Sequence, residues 1–224
     1  MSTQLNSKKV VLVHGTHVVI PIMEKAIKSV TNRIEVYHIL NELLLAKLLE
    51  VGFITPEIQW RFTQLIVEGA YLSPDIIIVT GSSFGPCVKI SQKMVSPPII
   101  RIDEKMAEEA VKWGNKIAIV ATEKTTIKPT TSLIKKQADI LKKTVSIETI
   151  LCQGALDLLR KGENKQHDSI IINSLREHKL HDFDVIVLAQ LSTSRVQSQV
   201  ESIFNKKVFS SLNSITKIIE ELIN

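Results

Sequence analysis

Short apolar runs recur along the chain with room for helices between them. Val10 to Val13, Ile76 to Val79, Ile99 to Ile102, Lys116 to Ala121 and Asp184 to Leu188 are almost wholly aliphatic. Strands covered on both faces require runs of this kind. Ile34 to Ile39, Ser146 to Leu151 and the short Val208-Phe209 complete the predicted strands. Helical spacing fills the intervals. One helix starts near Pro21 and carries Met23, Ala26 and Ile27; another runs from Leu43 to Glu50 and is ended by Gly52. Thr55-Pro56-Glu57 is a strong helix start, with an N-cap, a proline just inside and an acid in the first turn. Glu104 to Trp113, Thr131 to Lys143, Gly154 to Arg160, Asp168 to Glu177 and the amphipathic Ile215 to Ile223 follow. Strands alternating with helices throughout predict an α/β fold with parallel sheets and right-handed crossovers. Pro97-Pro98 interrupts the alternation and marks the expected hinge between two halves, Ile99 to Ile102 restarting the second.

The halves resemble each other. Asp75 to Ser83 aligns with Asp184 to Ser192, 109 positions later (75 against 184), and Lys9 to Thr16 aligns with Lys116 to Glu123, 107 later (9 against 116). Two matches at nearly equal offset predict duplicated α/β units. In each unit a strand breaks into small polar residues, as at Gly81-Ser82-Ser83, before a helix opens near Gly85-Pro86. Open α/β sheets build ligand sites at such carboxyl ends of strands. If the halves face each other, Gly81 and Gln190 stand at equivalent points on opposite sides of one cleft.

Composition narrows the partners. Of 224 residues, 44% are hydrophobic and 4% aromatic, with 28 basic and 23 acidic side chains giving a net charge of +5. The lysine pairs (Lys8-Lys9, Lys135-Lys136, Lys142-Lys143, Lys206-Lys207) are scattered and read as solvated ends of elements. No basic stripe interleaves with aromatics, so no nucleic-acid surface is expected. Two cysteines give no disulfide framework. The polar start carries no signal-peptide pattern, and no apolar run reaches the roughly 20 residues of a membrane span, so no membrane association and a cytoplasmic location are expected.

Several ordered motifs then carry a resemblance. They are Thr80 to Pro86, Ile100 to Ala110, Ala121-Thr122 with Thr125-Thr126 and Pro129-Thr130, Cys152 to Ala155, His167-Asp168 and Val187 to Ser192. On these the chain resembles the aspartate/glutamate racemase superfamily, in its single-cysteine branch, from about Ile34 onward. The resemblance implies two Rossmann-like domains related by a pseudo-twofold axis, with the site between them. It assigns 1–97 plus a returning C-terminal helix at 211–224 to the first domain and 98–210 to the second. It further implies a small carboxylate ligand (an amino acid or related acid), no cofactor, no pyridoxal phosphate and no metal, with a homodimer as the assembly considered. Its chemistry is proton transfer at the carbon beside a carboxylate, one cysteine on each side. Thiols suit this because their acidity is readily tuned towards neutral pH.

The departures define the problem. By the resemblance the first cysteine position falls at Gly81 and the second at or beside Gln190, and neither side chain exchanges a proton. His14, at the end of the first strand, and Cys87, six residues beyond Gly81, are the candidate substitutes. Cys87 and Cys152 are also read as small packing residues, and His14 as a satisfied strand-end group. His167, His178 and His181 are expected to face solvent. Ser82, Ser83, Thr122, Thr125, Thr126, Gln190 and Ser192 are the candidate ligand contacts, alternatively helix caps. Two other functions stay open. One is a non-catalytic acid-binding protein of the same fold. The other is a serine esterase using Ser83 in Gly81-Ser82-Ser83-Phe84-Gly85, a literal G-x-S-x-G. Against the esterase, Pro86 follows the turn directly and no histidine lies beyond His181.

Overall fold

The computed structural model describes residues 7–223. β1 (Lys8–His14) leads through a 3₁₀ turn (His17–Val19) into α1 (Ile20–Val30), followed by β2 (Ile34–Leu40), α2 (Glu42–Val51) and α3 (Pro56–Ala70). Next come β3 (Ile76–Val79), a 3₁₀ segment (Ser82–Cys87), α4 (Val88–Ser91) and β4 (Ile99–Arg101). The second half runs α5 (Glu104–Trp113), β5 (Lys116–Ala121), α6 (Lys124–Ile140), β6 (Ser146–Leu151), α7 (Ala155–Arg160) and α8 (Asn164–Arg176). It closes with β7 (Val185–Leu188), a 3₁₀ segment (Leu191–Val196), α9 (Gln197–Phe204), β8 (Lys207–Ser210) and α10 (Ser211–Ile223).

Two parallel four-stranded sheets result, ordered β2-β1-β3-β4 and β6-β5-β7-β8. The duplication read from sequence extends to register. Val10 pairs with Ile76 and Val13 with Val79; Ile117 pairs with Val185 and Val120 with Leu188. The leading aspartates do the same work in both units. Asp75 accepts the Lys9 amide at 2.8 Å, and Asp184 accepts the Asn115 and Lys116 amides at 2.8 and 2.9 Å.

Strand alternation explains the layers. Val11, Val13, Ile77 and Val79 pack on α2 and α3 through Leu44, Leu48, Phe62 and Ile66. Val10, Leu12, Ile76 and Ile78 face the other way, onto Met23 and Ile27 of α1 and Ile215 and Ile219 of α10. The last helix therefore returns to the first sheet. In the second sheet Ile117 and Ile119 face α5 and α6, while Ala118 and Val120 face α8 and α9. Helix ends follow local chemistry. Asn41 and Thr55 cap α2 and α3 by accepting the Leu44 and Ile58 amides at 2.9 and 3.2 Å, and Gly52 ends α2 at φ 85°, where other residues are strained.

Four expectations are corrected. β4 pairs with β3, Ile77 against Ile99 and Ile78 against Ile100, so it closes the first sheet instead of opening the second half. The proline pair is no hinge: Gln92 donates to the Val95 and Pro97 carbonyls and accepts the Ile99 amide at 2.7 Å, pinning the loop. α6 starts at Lys124, not Thr131. Its buried face extends through Thr126 and Thr130 at helical spacing, and Pro129 forfeits only the bond to the Thr125 carbonyl. Finally, His167 is fully buried, with Nδ1 2.7 Å from Asp168, which in turn accepts Arg195 at 2.8 Å.

Candidate functional site

The carboxyl ends of the central strands converge between the two sheets. Gly81 and Gln190 each stand two residues past a strand, in extended backbone (φ −97° and −128°), immediately before a 3₁₀ segment of six residues. Their equivalence is thus structural as well as sequential.

The turns touch across the halves. Ser82 Oγ donates to the Ala189 carbonyl at 2.9 Å, and Ser83 Oγ lies 3.1 and 3.0 Å from the Thr125 and Thr126 hydroxyls. These four side chains are buried. Ser82 bonds the backbone of the other half and Ser83 the two threonines, so these hydroxyls join the halves and do not cap helices, while Ser82, Ser83 and Thr126 also line the cavity between the turns. Thr122 donates to Gln190 Oε1 twice, from its amide at 2.6 Å and its hydroxyl at 2.9 Å. A backbone N–H can only donate, so the Gln190 oxygen must face Thr122 and its NH₂ must point away. Gln190 and Ser192 both line the cavity between the turns.

Gly81 and Gln190 border one small cavity of about 50 Å³, which Thr16, Thr80, Glu123 and Ser192 also line. Ligand pockets generally measure roughly 300–1,000 Å³, so this cavity is far smaller than a usual ligand site. Glu123 is the one titratable side chain among those lining it. Sequence reasoning missed it. The available signal was the internal repeat, in which Glu123 aligns with Thr16 of the first unit. Burial, then the Asp157 carboxylate, holds the Glu123 pKa above its ordinary value, with Arg160 acting the other way.

The two substitutes proposed from sequence do not serve. His14 is 2% exposed, and both its nitrogens are engaged, Nδ1 with Thr80 Oγ1 and Nε2 with His38 Nδ1, each at 2.9 Å. Burial, with a smaller contribution from His38, lowers its pKa to about 3, which makes it a poor base at neutral pH. Cys87 packs in the core against α3, and burial pushes its thiol up to about 12. Cys152 is likewise buried, in the core of the second sheet. Ser83 has threonine partners and no imidazole, which removes the geometry an esterase needs. Among the described residues no group of three or more His, Cys, Asp or Glu side chains could hold a metal, and no helix is long and apolar enough to cross a membrane.

Comparison with known proteins gives a consistent picture. The family model described as Asp/Glu/Hydantoin racemase matches residues 56–217. A glutamate racemase from Bacillus anthracis is similar in fold, with TM-score 0.76 and 14% identity over 97% of this chain and 82% of that one. An aspartate racemase from Picrophilus torridus gives 0.69 and 13% over 96% and 93%. An allantoin racemase from Klebsiella pneumoniae gives 0.66 and 14% over 97% and 88%. No curated protein matches.

Proposed function

The chain belongs to the Asp/Glu/hydantoin racemase family, and from that premise we propose that it binds a small carboxylate between its halves but does not racemise it by two thiols. One observation carries the reading: Gly81 and Gln190, the two positions taken for the family's cysteines, face one cavity whose only titratable lining group is Glu123. The amide of Gln190, the hydroxyl of Ser192 and the backbone amides of the turns supply donors for the ligand's carboxylate. Domains closed by α10 on one side and spanning roughly 102–210 on the other, a pseudo-twofold relation, a homodimer and a cytoplasmic address belong to the same proposal.

Any remaining proton transfer runs through Glu123. Its carboxylate takes the Cα proton, the electron pair moves into the substrate carboxylate as an enediolate, and the same carboxyl returns a proton. A single base works from one face, so the hydrogen exchanges and the configuration is kept. A raised carboxyl pKa helps, because base and conjugate acid are then better matched to neutral conditions. The small cavity must widen to admit an acid, and parting the Ser82–Ala189 and Ser83–Thr125 contacts between the halves would widen it.

The test is incubation in D₂O with each enantiomer of aspartate and glutamate, following the Cα proton by NMR and configuration by chiral chromatography. Exchange without inversion, abolished in Glu123→Gln, is expected. Inversion at the rate of exchange would refute the single-base reading. An acid that binds tightly yet exchanges nothing would leave the second reading, a binding protein, which the small cavity and missing thiols favour.

A further inference from the structure

The room in this molecule lies elsewhere. Beyond the Ser83–Thr125 contact is a groove of about 840 Å³, lined by both halves: Phe53, Lys89 and Arg101 from the first, Lys124, Lys128 and Lys136 from α6. Glu104 is the sole carboxylate among its lining residues. Lys136 reaches Glu104 at 3.5 Å and Arg101 is committed to the buried Asp103 at 2.9 Å. Lys89, Lys124 and Lys128 have no carboxylate partner among the described residues.

The lysines of α6 stand on one row. Positions 124, 128 and 136 are spaced by multiples of four, with Ser132 between them also lining the groove. Like charges at that spacing destabilise a helix, and Lys124 lies at the helix start, where the backbone dipole disfavours a cation. The helix keeps a charge row that its own electrostatics oppose, and an anion in the groove would relieve both penalties. Apolar side chains form much of the wall, among them Leu48, Ile54, Pro86, Val88 and Leu133, with Phe53 65% exposed beside them and the Ser83, Thr125 and Ser132 hydroxyls completing it.

We propose that this groove is a second binding site, for a phosphate ester with an apolar, ring-containing body. A phosphate monoester brings close to two negative charges and three acceptor oxygens, matching three unpartnered ammonium groups better than one carboxylate does. The body lies on the aliphatic wall, with its ring against Phe53. Since Lys89 and α6 come from opposite halves, the occupant bridges them. The site is independent of the chemistry proposed for the cavity at Gly81.

Calorimetric titration with phenyl phosphate and with inorganic phosphate tests the site. Phenyl phosphate is expected to bind at least tenfold more tightly than inorganic phosphate. Lys124→Glu/Lys128→Glu should weaken it at least tenfold, with an unchanged circular dichroism spectrum. Lys161→Glu/Lys165→Glu, which alters net charge equally on the exposed surface away from the groove, should leave it within about twofold. No binding of phenyl phosphate, equal binding by the groove variant, or an equal loss in the control pair would each overturn the assignment. Equal affinity for inorganic phosphate would overturn the apolar part of it.

Discussion

Acidification from pH 7 to pH 5 is expected to destabilise this fold through His14. The ring is buried and hydrogen-bonded on both sides, and its pKa falls from 6.5 to about 3, chiefly through burial. In the unfolded chain it titrates near 6.5. Between those values the unfolded state takes up a proton that the folded state refuses. The stability is therefore fully present above pH 6.5, is lost at about 1.4 kcal/mol per pH unit as pH falls, and levels off below about pH 3. From pH 7 to pH 5 the loss from this residue is about 2 kcal/mol, a large share of the roughly 5–15 kcal/mol of a typical domain. His38 and His167 are also held low by burial and act in the same direction. Glu123, held high, acts in the opposite direction. Asp75 and Asp184, held low by backbone amides, lose their contribution only below the ordinary carboxylate range, outside this window. Urea unfolding at the two pH values, with an NMR titration of the His14 imidazole, measures the effect. An imidazole titrating above pH 5, or a His14→Gln variant losing as much stability as the parent, would refute the reasoning.

One reagent and one further substitution probe the same architecture. Cys87 is fully buried with its thiol near 12, so iodoacetamide at pH 8 should leave it unmodified in the native protein and label it in urea; rapid native labelling would mean that the core beside α3 opens. In Gly85→Ala the new methyl would fall 2.3 Å from the Arg101 guanidinium carbon, displacing the partner of buried Asp103. Leaving that carboxylate unpaired should cost about 3–5 kcal/mol in urea unfolding, and a loss under about 1 kcal/mol would show that the arginine moves aside freely.

Much of this fold was legible because buried parallel strands and their turns carry local signals. The aspartates at 75 and 184 and the small residues after β3 and β7 lie within single strand-turn-helix segments, so the repeat in sequence became a repeat in register. What stayed hidden depends on contacts between segments. The ring of His14 meets His38 only because β1 and β2 pair side by side. Glu123 looks like an ordinary polar residue leading a helix, and only the fold brings it to the same cavity as the other half's Thr80-Gly81 turn. Thr126 and Thr130 disguise the first turns of α6, since buried hydroxyls break the apolar period. β4 was misplaced for a related reason: an aliphatic run announces a strand but not which sheet it joins.

The central claim is that this cleft is a racemase site whose two proton-carrying positions are occupied by Gly81 and Gln190. Gly81 adopts an ordinary backbone conformation, and an added Cβ would sit 3.2 Å from the Phe84 ring, so a cysteine there needs only a small shift of that ring. The most direct measurement is chiral chromatography of the acid that binds the wild-type protein, incubated with Gly81→Cys/Gln190→Cys. Inversion of configuration, absent in the parent, is the predicted result. A folded double variant that binds the acid and leaves its configuration untouched would contradict the claim.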